Sequence, residues 1–514
     1  MTATTATVEE RLTARLSSRW VRSGTAALAG AVPALAFPAP SLWWLAYVAL
    51  VPWILLIRSA PTAKRAALDG WFGGAGFMLA VHNWLMPSLN VFIVVLALLL
   101  GALWAPWGWL VRRLMHPGAS AGQVASAIVL LPSGWLMVEL VRSWQGLGGP
   151  WGLLGASQWQ VPPALRLASI GGVWLVSFLV VLLNTAVAAL IALPPVRRPA
   201  IVALLVAAVG TSAAWLWAPR PQQSGSVRIA IVQPGVLPTG DSRLNREVEL
   251  TRQLAGTHPD LVVWGESSVG VDLTSHPEVA DRLAALSAEV GSEVLVNVDA
   301  PKADGSGISK TSELIGPNGV TGPTYDKMRL VPFGEYIPMR SLLGWATSVG
   351  KAADQNRTPG KRQVVMDDRG LRFGPLICFE TAFPDMSRHL AGHGAQLLVA
   401  QSSTSSFQHS WAPAQHASLA ALRSAETWRP MVHATLTGIS AVFDAQGRPV
   451  GHRIGTGSST TAVYEVPLAT GVSPYVRFGD WVPHLALLML VMGAAYEGTR
   501  LVRRPAPARS ARSR

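Results

Sequence analysis

Apolar segments at about 24–39, 41–57, 68–86, 90–111, 123–141, 167–193 and 199–217 are followed by a polar stretch from 219 to 480 and an eighth apolar segment at 481–497. As helices, most of these are long enough to cross a hydrocarbon core of ~30 Å. This pattern divides the chain into a helical membrane part and a water-facing part. With 50% hydrophobic and 14% charged residues over 514 positions, the chain is too apolar for an ordinary soluble protein. The first two segments are short and nearly fused through Pro38 and Pro40, so they form either two spans or a hairpin that only partly spans.

The net charge of +13 does not mark a nucleic-acid binder, because the basic residues lie in short clusters between apolar segments and form no single basic face. Topology accounts for them. With the N-terminus in the cytoplasm, Arg11, Arg15, Arg19 and Arg22, then Arg58, Lys64 and Arg65, then Arg112 and Arg113, then Arg197 and Arg198 fall on one side, as the positive-inside rule requires. The tail carrying Arg500, Arg503, Arg504, Arg509, Arg512 and Arg514 joins them, and the polar stretch lies outside. The expected organisation is a cytoplasmic segment 1–23, a membrane domain 24–218 of about seven spans, an extracytoplasmic domain 219–475, a closing span 476–498 and a basic cytoplasmic tail 499–514. Ala34-Leu35-Ala36 resembles a signal-peptidase site, but the long charged region before it and the spans directly after it argue against a cleaved signal. Trp43, Trp44, Trp53, Trp104, Trp107, Trp109, Trp144, Trp151 and Trp159 crowd the segment ends and are expected to form an interfacial aromatic belt.

The outer region predicts an α/β layered domain with its own core. Short β-branched runs at Val227–Val232, Leu261–Trp264, Glu293–Val298, Leu371–Phe379 and Gln396–Ala400 fit buried strands. Helical patterns lie at Asn245–Ala255, His276–Val290, Met386–Gly392 and Gln415–Thr427, and hairpin signals at Pro317-Asn318-Gly319 and Asp444–Gly447. The stretch Met339–Arg362, which mixes Leu342, Leu343 and Trp345 with Gly and Ser, is either a mobile lid or an ordinary surface loop.

Three residues invite a chemical role, each against an ordinary alternative. Cys378, the only cysteine, ends an apolar run where the chain turns toward a helix; such a turn exposes a nucleophile, although a free cysteine is more often simply buried. With no second thiol there is no intramolecular disulfide, and no zinc-type cluster appears. Glu266 follows the strand Leu261–Trp264 beside Gly265 and suits a general base, although taken alone such a carboxylate is more often a helix cap or a solvated loop residue. Lys327, in Tyr325-Asp326-Lys327-Met328-Arg329, suits stabilisation of a tetrahedral oxyanion or a snorkelling surface position.

The segments around these residues resemble the Glu, Lys and Cys motifs of the nitrilase superfamily. Leu330-Val331-Pro332-Phe333-Gly334-Glu335-Tyr336 is close to a signature of the apolipoprotein N-acyltransferases. The frame is similar to theirs over nearly the whole chain: a multi-span membrane domain of about eight helices, the closing span included, with an inserted αββα sandwich of nitrilase type. Gly149-Pro150-Trp151-Gly152-Leu153-Leu154-Gly155-Ala156-Ser157-Gln158, Gln415-His416 and Thr437–Ser440 are similar to further parts of the family and are expected to be architectural or substrate-lining. The chain departs from the family at Gly265, often Pro; at Phe379, often Tyr; and at Ser402–Phe407, usually Ser-Asn-Asp-x-Trp-Phe.

The resemblance implies Glu266 as base, Lys327 as oxyanion stabiliser and Cys378 as nucleophile, with Glu335, Glu380, Phe379, Tyr325 and Trp264 supporting the site or binding substrate. It implies a monomer in a bacterial plasma membrane, using neither metal nor cofactor. A phospholipid would acylate Cys378 as a thioester, and a diacylglyceryl-modified apolipoprotein would accept the chain on its α-amino group. A membrane-tethered amidase with the same three residues would pass the acyl group to water, but the membrane region far exceeds a tether. A transporter or receptor is disfavoured by the scarcity of ionisable groups in the spans, where Glu139 and His82 are the nearest relay candidates.

Overall fold

The computed structural model describes residues 18–344 and 355–502. Arg11, Arg15, Trp345, Arg503, Arg504, Arg509, Arg512 and Arg514 lie outside the described residues, as does the middle of the expected lid. All eight apolar segments are helical. Among the described residues, five helices are long and apolar enough to cross a membrane: Phe92–Met115, Ala121–Arg142, Pro162–Ala192, Arg198–Trp217 and Trp481–Thr499. The other three fall short of that measure. Arg19–Ala31 and Trp43–Arg58 are too short, and Ala63–Val81 carries Lys64, Arg65 and Asp69.

Arginines from several basic clusters meet at one end of this bundle. Arg22 and Arg65 hold the buried Asp69 at 2.8 and 2.6 Å, Arg58 donates to the Met115 carbonyl at 3.0 Å and Arg112 to that of Ala60 at 2.7 Å. The expected tryptophan belt is only partly present. Trp43, Trp44, Trp109 and Trp144 are exposed, whereas Trp53, Trp104 and Trp107 are buried with Trp135, ring centroids 5.1 to 5.9 Å apart. Small residues explain the difference. Close approach of the glycine-rich helix Ala63–Val81 to its neighbours, as where Gly70 meets Trp104 and Gly108, leaves indoles to fill the interior.

Among the described residues the outer domain is built from two six-stranded sheets, which include β1 (Gln222–Gln233), β6 (Met366–Asp368), β10 (Ser440–Phe443), β11 (Pro449–Ile454) and β12 (Thr460–Thr470) and are ordered β12-β1-β2-β3-β4-β5 and β11-β10-β9-β8-β7-β6. The strands that position the site are β2 (Leu261–Trp264), β3 (Glu293–Pro301), β4 (Ile308–Gly316), β5 (Gly319–Asp326), β7 (Leu371–Ile377), β8 (Leu397–Ser402) and β9 (Met431–Thr435). Side-chain alternation assigns the layers. Leu261 and Val263 of β2 pack between the sheets against residues such as Phe373, Ile377 and Val432, while Val262 and Trp264 face the helices Gly240–Arg252 and Pro277–Val290. On the other side, Leu376, Leu398 and Ala400 face the helix Ala412–Thr427 in a core continuous with the membrane bundle. The result is the expected αββα sandwich. Both hairpin signals are turns, with Gly316 paired to Gly319 and the Asp444 amide bonded to the Arg448 carbonyl.

Candidate active site

The parallel strands β2 and β7 end at the same edge of the sandwich, and each delivers a chemical residue just beyond its last position. β2 can approach β9 so closely because residue 265 is glycine: a Cβ there would lie 1.9 Å from the Leu436 nitrogen. The next amide, of Glu266, donates to the Ser402 carbonyl at 3.1 Å, which locks the ends of the two sheets together. β7 ends at Ile377, and Cys378 opens a tight helical turn, Cys378–Ala382, with φ +52. A left-handed conformation at a non-glycine residue is strained, and such strain is concentrated at functional sites. It leaves the free thiol half-buried, 3.8 Å from the Ser403 carbonyl.

Lys327 follows β5 and is tied to β4 by its amide, which donates to the Lys310 carbonyl at 2.8 Å. Its ammonium is buried and bonds Glu266 Oε1 at 3.0 Å and Glu335 Oε1 at 2.7 Å. Glu335 is held in turn by the Val331 amide on Oε2 at 2.8 Å. The return of the 339–362 stretch braces the same place, since the Arg357 amide donates to the Glu335 carbonyl and that of Gly360 to the Lys327 carbonyl, both at 2.8 Å.

A second ammonium, absent from the sequence-based expectation, completes the cluster. Lys310 of β4 lies 2.8 Å from Glu266 Oε1, 3.1 Å from Glu335 Oε1 and 3.7 Å from Asp299 Oδ2. The signal in the sequence was faint: Lys310 stands in a polar strand, and only its cross-strand partner Asp299 hints at a charge held inside the sheet.

These charges set the protonation states. Burial alone would raise the Glu266 carboxyl, but Lys310 and Lys327 hold it down to about 2. Burial also works against the Lys327 ammonium, and the carboxylates Glu266 and Glu335 more than restore it, raising its pKa. Burial, reinforced by Glu266, pushes the Cys378 thiol up to about 12 against the pull of the two lysines. The resting site is therefore a neutral thiol beside two carboxylates and two ammonium groups.

Glu380 is buried and ties the nucleophile turn to the lysine segment. Its Oε1 accepts from the Tyr325 hydroxyl at 2.8 Å and from the amides of Met328 and Arg329 at 2.7 and 3.0 Å, and its Oε2 from the Ile377 amide at 2.8 Å. Tyr325 thus braces the site from within the core. Phe379 stacks edge-on against Phe383 at 5.0 Å and faces Gly149 of the membrane part. Trp264 is not brought to the site: its indole is buried on the opposite face of the sheet, donating to Thr251 at 3.0 Å. His416 proves closer to the chemistry than a general lining residue, with Nε2 2.9 Å from the Cys378 carbonyl. The divergent Ser402–Phe407 loop borders the thiol through Ser403 and sets Phe407 against Trp84 at 4.8 Å.

The membrane part closes over this edge. Trp151 donates to Gln415 at 2.7 Å, and at the far end of the helix Ala412–Thr427, away from the site, the Val173 amide donates to Glu426 at 2.7 Å. Among the described residues no group of acidic, histidine or cysteine side chains could hold a metal ion.

Residues 29–186 match the family described as apolipoprotein N-acyltransferase N-terminal domain, and residues 228–473 match carbon-nitrogen hydrolase. The apolipoprotein N-acyltransferase of Geobacter metallireducens is 30% identical over 88% of this chain and 91% of its own length. That of Azotobacter vinelandii is 31% identical over 95% and 98%. Among solved structures, an amidase of the nitrilase superfamily from Nesterenkonia AN1 is 19% identical, covering 51% of this chain and 98% of its own, with a TM-score of 0.37. At 30% identity or more across almost the full length of both chains, these relatives place the protein in the apolipoprotein N-acyltransferase family.

Proposed function

We propose that the chain moves a fatty acyl group from a membrane phospholipid, through a thioester on Cys378, to the α-amino group of an N-terminal diacylglyceryl-cysteine on an apolipoprotein. The observation that carries this reading is a half-buried free thiol on a strained turn, beside the Glu266–Lys327–Glu335–Lys310 cluster and against the membrane bundle.

The resting thiol holds its proton and Glu266 is ionised, so a preformed thiolate is disfavoured. The proton passes to Glu266 as the sulfur adds to the ester carbonyl, and the charge appears on the carbonyl oxygen, where Lys327 stabilises it. Collapse breaks the ester C–O bond, Glu266 returns the proton to the departing lysophospholipid oxygen, and the thioester remains. The acceptor amine then attacks, Glu266 takes its proton, the C–S bond breaks and the proton returns to sulfur. A site against the bundle suits two lipid-anchored substrates, because drawing an acyl chain into water costs about 0.8 kcal/mol per CH₂. The arginine-rich end of the bundle, where Arg58 meets Met115 and Ala192, lies away from the catalytic domain, which supports an extracytoplasmic catalytic domain under the positive-inside rule.

The purified protein is incubated with phospholipid carrying a labelled acyl chain and a diacylglyceryl lipopeptide. Label on the lipopeptide amine, with an acyl mass on Cys378 when acceptor is omitted, is expected; free fatty acid alone would mean an amidase-like hydrolase. Cys378→Ala is expected to lose both products.

A further inference from the structure

Away from the catalytic edge, a small open cleft lies between the membrane bundle and the far end of the helix Ala412–Thr427. Arg166, Arg220 and Arg448 line it together with Trp215, Trp428 and Gln446, and among the described residues no acidic one lines it. Arg166, in the first turns of the helix Pro162–Ala192, is more than nine-tenths buried, and its Nε is sealed from solvent without a hydrogen-bond partner. One of its Nη atoms is satisfied by the Ala218 carbonyl. Arg220 uses an Nη on the Trp215 carbonyl at 3.0 Å, and among the described residues none of the three guanidiniums has a carboxylate within salt-bridge distance.

Arg166 brings a buried guanidinium without a carboxylate partner to this cleft, and Arg220 and Arg448 add two exposed cations to its lining. An unpaired buried guanidinium is costly, and planar N–H forks match phosphate oxygens. The surroundings say where that phosphate comes from. The cleft opens at the end of the span Arg198–Trp217, whose apolar window is only 11% buried within the protein. Acyl chains can therefore lie along this helix while the headgroup reaches the arginines, with Trp215 at the level where indoles sit in a bilayer.

We infer that this cleft is a binding site for the phosphate of an anionic phospholipid, separate from the acyl-transfer site and acting as a lipid clamp between the last span before the catalytic domain and the domain itself.

Native mass spectrometry of the full chain in detergent micelles tests this with dioleoyl phosphatidylglycerol and dioleoyl phosphatidylcholine offered at equal concentration. Preferential retention of phosphatidylglycerol is expected, falling roughly 5-fold for each arginine neutralised. Arg220→Gln and Arg448→Gln are the decisive variants, because both side chains are exposed and their loss leaves the core untouched. Equal retention of the two lipids, or unchanged retention in both variants, would overturn the inference. So would displacement of the retained lipid by millimolar inorganic phosphate that itself stays bound, which would make this a free-phosphate site. Cys378→Ala is expected to retain phosphatidylglycerol like the parent, so a failure of the thioester mechanism and a failure of the lipid clamp are told apart.

Discussion

The ammonium of Lys310 lies 2.8 Å from Oε1 of Glu266, the same oxygen that Lys327 reaches at 3.0 Å. Two cations on one carboxylate oxygen keep the base ionised, yet they also make it a weak acceptor. Asp299, Glu335, Arg357, the Cys378 thiol and the His416 ring are the other charged and titratable groups around this pair. Removing Lys310 relieves one of the two charges depressing Glu266, so its pKa rises. For Lys310→Met we expect the acid limb of the kcat/KM pH profile to move up by roughly 1–3 pH units. Lys310→Arg should keep the limb near its original place. A profile of Lys310→Met superimposable on the parent's would show that Lys310 does not act through Glu266.

Glu380 receives four donors on two oxygens. In Glu380→Gln, an amide oriented to accept from Tyr325, Met328 and Arg329 must point its NH₂ at the Ile377 amide, directly before the nucleophile. We expect a loss of roughly 1–3 kcal/mol in stability and slower single-turnover acylation of Cys378. Tyr325→Phe removes a single hydrogen bond and should cost about 1 kcal/mol. Equal thermal unfolding of all three proteins in detergent would remove Glu380 from its bracing role.

Much of this arrangement was legible along the chain, for identifiable reasons. The β2 run is short and continuously apolar, the β7 run ends in the apolar stretch Phe373–Ile377, and each leads directly into a turn, bearing Glu266 in one case and Cys378 in the other, a local pattern that suffices to place both residues at strand ends. Glu335 stands eight residues from Lys327 in a segment that folds back on itself, so motif spacing carried their pairing. Lys310 escaped because strand-to-strand register, not local sequence, brings it to Glu266. Trp264 was misplaced for the opposite reason: its neighbour reaches the site, but alternation along β2 turns its own side chain to the helix face. The buried tryptophans of the bundle share this origin, since hydropathy marks a segment's end without revealing which face of the helix its indoles occupy.

Two buried histidines behind the nucleophile give the fold a dependence on acid. Burial lowers His416 to about 4 and His433 to about 3, and their rings pack edge to face at 4.8 Å. The folded values lie below the unfolded value of about 6.5, so between these limits the unfolded chain binds more protons. The stability of the neutral forms is therefore full above pH ~6.5 and declines as pH falls toward 4, by roughly 3 kcal/mol for His416 alone. We expect the thermal midpoint in detergent to fall over this window. His416→Gln retains a donor for the Cys378 carbonyl without the titration and should flatten part of the decline. A midpoint constant from pH 7 to pH 4 would contradict neutral burial of these rings.

The docking of the two parts depends on a break inside a membrane helix. Within Pro162–Ala192, Gly172 takes φ 68 and ψ −174, a region that essentially only glycine occupies. The interruption frees the Val173 amide, which donates to Glu426 at 2.7 Å, while Glu426 also holds Arg423 at 3.0 Å. A Cβ at position 172 would lie 2.6 Å from the Tyr475 ring, so Gly172→Ala combines backbone strain with a clash. We expect a loss of roughly 2–5 kcal/mol, seen as a lower thermal midpoint, together with faster proteolysis at the junction between the parts. Adding Tyr475→Ala removes the ring but not the strain, so the double variant should recover only the steric share of the loss. Full recovery would mean that packing alone governs this position, and no loss in Gly172→Ala would mean that the helix tolerates closure of the break and that the Val173–Glu426 bond does not hold the catalytic domain to the bundle.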